Sequence, residues 1–227
     1  MTVARCLLLM AALPLFGGCQ FMPFLKSDSP VSSTAGQTRM QGVLMGTGGQ
    51  LIFQPCNEPR RYFVTDAGNT GVLQEAADLA NVQGQVFADL RGRFDASSSG
   101  GTEGQLSLQR VYRLERSAAA CKDAHFKQTS LVASGEKPTW RVTVGSKGMV
   151  VEREGQPQLA LPYMEEQVGD GRFNLSSEAN GQRVELWIAP QRCVDPVTDA
   201  VQFHSAELRV NDQVQQGCAY LGGARND

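Results

Sequence analysis

The stretch Thr70-Gly71-Val72-Leu73-Gln74-Glu75-Ala76-Ala77-Asp78-Leu79-Ala80 decides how the first half of the chain is interpreted. Its apolar residues recur at helical spacing and Thr70 can cap the first turn, so it predicts a short helix. The residues that share one helical face are Leu73, Ala76, Ala77 and Ala80. Strand-like segments flank this helix, three before it and two after it: Gln41–Met45, Gln50–Gln54, Arg61–Thr65, Val82–Leu90 and Gln105–Leu114.

Five strands with a helix between the third and the fourth follow the order of an OB-fold barrel. We therefore expect a mainly β protein with an OB-like five-stranded barrel over residues 39–120. Residues 121–227 are again strand-like and predict a second antiparallel β domain. Within it Val201–Val210 is interpreted as one strand, and Asn211-Asp212 as the two-residue turn of a hairpin.

The N-terminus has the layout of a secretory signal peptide over residues 1–18. A short basic start precedes an apolar run that is too short to span a bilayer, which needs about 20 residues. Phe16-Gly17-Gly18-Cys19 resembles a bacterial lipobox. The resemblance implies cleavage before Cys19 and attachment of lipid, palmitate included, to that cysteine. The alternative is an ordinary cleaved signal that leaves Cys19 as a free thiol.

A lipidated Cys19 implies a protein anchored to a membrane by several acyl chains. Gln20 follows the cysteine, where an aspartate would hold such a lipoprotein at the inner membrane, so we expect the periplasmic face of the cell outer membrane. Residues 19–38 are expected to form the lipidated cysteine and a flexible tether, because their second half has few groups to bury.

Composition and motifs argue against several function classes. The formal net charge of −2 at pH 7 gives no reason to expect a nucleic-acid partner. The chain contains no G-x-S-x-G, P-loop or HExxH pattern, so we expect no enzyme activity and no cofactor.

Four cysteines remain after the signal and the lipidation site: Cys56, Cys121, Cys193 and Cys218. An even number in an exported chain predicts disulfides. Cys56–Cys121 and Cys193–Cys218 are the preferred pairs because each closes one half of the chain. A zinc or copper site is the alternative, although the cysteines are far apart and only two histidines are present.

The segment Gln41–Leu114 resembles the C-terminal OB domain of NlpE-type outer-membrane lipoproteins. The resemblance is carried by Gly42, Phe53, Cys56, the strand at Val64 and the closing strand Val111-Tyr112-Arg113-Leu114-Glu115. It implies an interaction role in envelope stress. The N-terminal domain of that family has no counterpart here, so its signalling and copper roles do not carry over.

Three short motifs in the second half resemble an uncharacterised family of bacterial envelope proteins with G-N-E-P-x-W, R-C-x-D-x-x-x-D and G-C-A patterns. They are Gly135–Trp140, Arg192–Asp199 and Gly217–Ala219, and the first departs from the family at Glu136-Lys137. Cys193 and Cys218 lie inside two of them, which supports their pairing. The family has no activity to transfer, and the domain is more loosely similar to HslJ-like heat-shock lipoproteins.

Arginines concentrate on the last two strands of the expected barrel and mark a candidate ligand-binding face: Arg91, Arg93, Arg110, Arg113 and Arg116. OB barrels often bind oligosaccharides, so an anionic glycan such as peptidoglycan is one interpretation. A solvated edge that resists aggregation is the other.

Several single residues of the second half have a structural interpretation, a functional one or both. Trp140 and Trp187 are expected in the core, and His204 shares its face with apolar neighbours. Asp195 and Asp199 could act as an acid–base pair or cap turn amides. Together these features predict a non-catalytic protein that binds an envelope protein partner.

Overall fold

The computed structural model describes residues 34–47, 50–96, 101–179 and 181–225. The signal peptide, Cys19 and nearly all of the expected tether lie outside these residues. Ala35–Asp227 groups as one compact unit, built from two β-sheets. Within the described part of the chain, no helix is long and apolar enough to cross a membrane.

The first half of the chain forms five strands and a helix in the expected order: β1 (Thr38–Thr47), β2 (Gln50–Pro55), β3 (Tyr62–Asp66), α1 (Val72–Gln83), β4 (Val86–Ala96) and β5 (Gly104–Glu115). β1 pairs with β2 and β4, and β2 pairs with β3. β3 pairs in parallel with β5, and β5 pairs with β4, which closes the ring. The predicted OB-like five-stranded barrel is thereby confirmed.

Helix α1 differs from its prediction in extent and in its buried face. The Thr70 hydroxyl oxygen accepts a hydrogen bond from the Val72 amide at 3.3 Å, as a cap should. Val72 and Ala76 are buried whereas Leu73 is exposed, so the core-facing stripe starts one residue earlier than expected. The helix also continues to Gln83, where Gly84 with φ of 76° ends it. The fourth strand therefore begins at Val86 and not at Val82.

Eleven further strands follow: β6 (Thr129–Gly135), β7 (Trp140–Gly145), β8 (Gly148–Arg153), β9 (Leu159–Leu161), β10 (Met164–Gly169), β11 (Arg172–Ala179), β12 (Gln182–Ala189), β13 (Cys193–Val194), β14 (Val201–Gln202), β15 (His204–Val210) and β16 (Gln213–Leu221). Nine of them form a curled antiparallel sheet in the order β10-β11-β12-β15-β16-β6-β7-β8-β9. This confirms the second antiparallel sheet. Every residue of β10 is exposed, so this strand has no alternation of buried and exposed residues and was not predicted.

The other two strands, β13 and β14, join the first sheet. Val201 on β14 pairs with Leu114 on β5, and β13 pairs with β14. The expected single strand Val201–Val210 is therefore two strands in different sheets, separated at Phe203. The second half of the chain thus contributes backbone hydrogen bonds to the end of barrel strand β5.

Both preferred disulfides are present. Cys56 is bonded to Cys121 and Cys193 to Cys218, each with Cα atoms 5.5 Å apart. The first ties the segment after β2 to a short 3₁₀ helix that follows β5. The second ties β13 to β16, and therefore a strand of the first sheet to a strand of the second.

Two hydrophobic cores lie inside the two sheets. One includes Leu44, Phe53, Leu90 and Leu106 within the barrel. The other is inside the curled sheet, and it includes Tyr112, which projects from barrel strand β5. Tyr112 is 1 % exposed, so this part of the barrel wall is covered by the second half of the chain.

Candidate functional site

Two of the five candidate arginines come together beside Tyr112. Arg91 on β4 and Arg110 on β5 are direct partners across the antiparallel ladder. Their guanidinium carbons lie 5.6 and 5.1 Å from the centroid of the Tyr112 ring. Stacking of this kind places a cation over the negative face of the ring. The two guanidinium groups form a small surface patch, in which Arg110 is exposed and Arg91 half-buried.

A third arginine at this place, Arg39, was missed by sequence reasoning. Its guanidinium carbon lies 3.7 Å from the Tyr112 centroid, closer than either neighbour. It also donates two hydrogen bonds to the fully buried carboxylate of Asp89. Burial raises the pKa of Asp89, and the hydrogen bonds from Arg39 oppose that rise. The sequence feature that could have indicated a buried ion pair is Asp89, a single acidic residue within the otherwise apolar segment Val86–Leu90.

The other three candidate arginines lie apart from this patch, each in its own ion pair. Arg93 is exposed and lies 3.5 Å from Asp95, and Arg116 lies 3.0 Å from Asp199. Arg113 is 4 % exposed.

Arg113 is a structural cation. Its Nη1 is 3.0 Å from Glu115, and its guanidinium stacks over the rings of Tyr220 and Phe87 at 4.0 and 5.0 Å. Burial raises the pKa of Glu115, against the opposing charge of Arg113. The structure therefore assembles Arg91 and Arg110, but not all five, on one surface.

The three motifs of the second half converge around Trp140, which is 2 % exposed. Gly135 and Gly217 lie against its indole, so closely that a Cβ on Gly217 would be 2.7 Å from Trp140 Cζ2. The disulfide Cys193–Cys218 adjoins the same strands. These motif residues form a packing cluster, in which the glycines are needed because no side chain fits.

Asp195 and Asp199 occupy structural positions in the loop between β13 and β14. Asp195 Oδ1 accepts hydrogen bonds from the amides of Val197 and Thr198 at 3.0 and 2.9 Å. Asp195 therefore caps turn amides, one of the two roles considered from the sequence. Asp199 has φ of 53° and forms the ion pair with Arg116 on the barrel side. Arg192 in turn pairs with Glu75 of α1. The R-C-x-D-x-x-x-D motif thus connects the second half of the chain to the barrel.

Trp187 lies on the outer face of the second sheet, so the prediction that it belongs to the core is wrong. Val184, Leu186 and Ile188 of the same strand face inward, so strand alternation places Trp187 outward. Its Nε1 donates a hydrogen bond to Glu185 at 3.3 Å, and Arg209 stacks on its ring at 5.5 Å. The alternation was visible in the sequence and could have corrected the expectation.

Trp187 belongs to a cross-strand row over five neighbouring strands: Glu166, Asn174, Trp187, Glu207 and Gln216. Glu207 accepts hydrogen bonds from Gln216 and Arg209, both at 2.6 Å. These bonds hold the pKa of Glu207 below its ordinary value, the Gln216 bond first, against a smaller opposing effect of burial. The row is a polar surface with one aromatic residue.

The described residues contain no group of three His, Cys, Asp or Glu side chains placed to hold a metal ion. His204 is 4 % exposed and faces inward with Ala206 and Leu208, as expected. His125 is exposed in the segment after β5.

Comparison with known proteins found no family model, no curated protein and no solved structure that matches this chain.

Proposed function

We propose that this protein is a lipid-anchored protein on the periplasmic face of the outer membrane, where it binds a partner and performs no catalysis. The observation that carries the proposal is the pair of disulfides, Cys56–Cys121 and Cys193–Cys218, in a chain whose residues 1–18 we interpret as an export signal. Disulfides persist in oxidising compartments such as the periplasm. The segment ending in Gly17-Gly18-Cys19 then supplies the anchor.

Binding is favoured over catalysis by the state of the best catalytic candidates. Asp195 is occupied by turn amides and Asp199 by Arg116. The resemblance of the barrel to the NlpE-type domain supports an envelope protein as the partner, with an interaction role in envelope stress.

Cys19→Ser tests the anchor. Wild-type protein expressed in a Gram-negative host with radiolabelled palmitate should incorporate label and float with outer membranes. Cys19→Ser should lose both properties and accumulate as uncut precursor. Cys6→Ser, which changes the other cysteine of the N-terminal segment, is the matched control and should behave as wild type. Wild-type amounts of Cys19→Ser in the outer-membrane fraction would show that the anchor lies elsewhere.

A second candidate function is recognition of an anionic glycan, favoured by the facing pair Arg91 and Arg110 beside Tyr112. The double variant Arg91→Gln/Arg110→Gln should lose binding to anionic peptidoglycan fragments in titration calorimetry. Arg93→Gln, from the separate pair with Asp95, is the control. Binding should weaken at higher salt, because the screening length is only about 10 Å at 0.1 M. Binding that ignores both the variants and the salt would rule this candidate out.

A further inference from the structure

A cavity of about 540 Å³ opens on the second sheet where β10 begins. Its size falls within the range of about 300–1,000 Å³ that is usual for small-molecule sites. One side is apolar and is formed by Pro162, Tyr163 and Met164, of which Met164 is 75 % exposed. The remaining wall is polar and comes from β10, β11 and β12.

One polar side chain of this wall is buried while its oxygen has no partner. Asn174 is 6 % exposed, and its Oδ1 has no hydrogen-bond partner within the described part of the chain. It lies on the same face of the sheet as its ladder neighbours Glu166 and Trp187. Buried polar atoms are normally paired, so an unpaired one indicates that a partner is missing. Asn174 lines the cavity, and a ligand bound there would supply that partner.

The negative charge of the cavity wall indicates that a ligand bound there carries a positive charge. Glu166 is the direct ladder neighbour of Asn174, and no ion pair or side-chain hydrogen bond is found for it among the described residues. Glu178 and Glu185 share a single arginine, Arg183, at 3.9 and 2.6 Å. Three carboxylates against one guanidinium leave the wall negative.

We propose that this cavity binds a primary ammonium group carried on an alkyl chain, as in a lysine side chain or a free diamine. An ammonium is a three-donor cation with no acceptor. The Glu166 carboxylate and Asn174 Oδ1, which are neighbours on one face of the sheet, are both able to accept. The alkyl chain packs on Tyr163 and Met164, since a lysine stem buries its methylenes along apolar surface.

The proposal goes beyond the proposed function, because it depends neither on the lipid anchor nor on the arginines of the barrel. Two kinds of ligand carry such an ammonium group, a protein segment with a lysine and a free diamine. A lysine in an extended segment would come with backbone that can pair with β10, which is the terminal strand of its sheet. A free diamine brings the ammonium alone.

The test is a titration of the isotope-labelled full chain, solubilised in a mild nonionic detergent and followed by NMR. The probes are a blocked Gly-Lys-Gly peptide, the same peptide with acetylated lysine, cadaverine and a neutral N-acetylglucosamine oligomer. The side-chain amide signal of Asn174 and the indole signal of Trp187 are the reporters. The lysine peptide and cadaverine should shift the Asn174 signal, and the acetylated peptide should not. A larger effect of the peptide identifies a protein segment as the source, and a larger effect of cadaverine identifies a free amine.

Glu166→Gln should weaken the response by roughly tenfold or more, because a hydrogen bond to a charged acceptor becomes one to a neutral amide. Glu152→Gln, an exposed glutamate on β8 outside the cavity, is the matched control and should bind as wild type. The proposal is overturned if acetylation leaves the response unchanged, if Glu166→Gln binds as well as Glu152→Gln, or if only the neutral oligomer shifts Asn174.

Discussion

Arg39 on β1 holds the carboxylate of Asp89 on β4 in a two-point hydrogen bond, Nε to Oδ1 at 2.9 Å and Nη2 to Oδ2 at 2.8 Å. The same guanidinium donates to the carbonyl oxygens of Leu221 and Gly222 at 2.6 and 2.9 Å. One side chain therefore joins two barrel strands to the end of β16, an inner strand of the second sheet. Its position over Tyr112 adds a cation–π contact to the same junction.

Arg39→Ala should lower the free energy of unfolding by about 3–5 kcal/mol, because Asp89 would remain buried without its partner. The exposed pair gives the control: Arg93→Ala, which breaks the contact with Asp95, should change it by less than about 1 kcal/mol. Urea denaturation followed by circular dichroism measures both. Replacement of both partners by apolar residues, Arg39→Met with Asp89→Leu, should cost less than Arg39→Ala alone. Equal losses for Arg39→Ala and Arg93→Ala would contradict the assignment.

The two disulfides should contribute unequally to stability. On the loop-entropy model the sequence separation of 65 for Cys56–Cys121 corresponds to about 4 kcal/mol, and that of 25 for Cys193–Cys218 to about 3.5 kcal/mol. Denaturation of the two double-alanine variants tests this. Peptide mapping without reductant should recover the same two pairs, and a Cys56–Cys193 peptide would disprove the pairing.

Gly217→Ala should destabilise the second sheet by about 1–3 kcal/mol, because overpacking forces neighbouring atoms to move. The new Cβ would overlap the Ser134 carbonyl oxygen and press on the Trp140 indole. Gly46→Ala is the control, since no atom lies within 4 Å of its Cβ position. Thermal unfolding followed by tryptophan fluorescence compares the two. A Gly217→Ala protein as stable as Gly46→Ala would show that the motif glycine is not a packing requirement.

The carboxyl group of Glu207 should titrate below the ordinary value of 4.5, because Gln216 and Arg209 donate to its charged form. Because the pKa of Glu207 is lower in the folded state than in the unfolded state, its ionised carboxylate adds to the free energy of unfolding at pH values above the unfolded-state pKa. This contribution is lost as the pH falls through the folded-state pKa. Carbon-detected NMR titration measures the pKa directly. Gln216→Ala should raise it toward 4.5, whereas Gln158→Ala, which removes a comparable amide from Glu152, should leave Glu207 unchanged.

The alternation of buried and exposed residues along single strands could be predicted from the sequence. This alternation predicted the five strands and the inward face of His204. Helical spacing added the helix that completes the OB order, and the two-residue turn predicted the Asn211-Asp212 hairpin, where Val210 pairs with Gln213. Cysteine number and position were enough to prefer the two disulfides that the structure contains. All of these follow from neighbours along the chain or from the few ways to pair four cysteines.

Only the tertiary structure decided which strand faces are covered and which distant side chains meet. Val86–Leu90 is buried on both faces because the second half of the chain packs on the barrel, and this made Asp89 a buried partner of Arg39. Phe203 separates β14 from β15 because their backbones pair with different sheets. The cavity beside Glu166 and Asn174 likewise depends on β10, an exposed edge strand with no periodic pattern. Local periodicity specifies which residues share a face, whereas contacts between residues far apart in sequence are set only when the sheets close and pack.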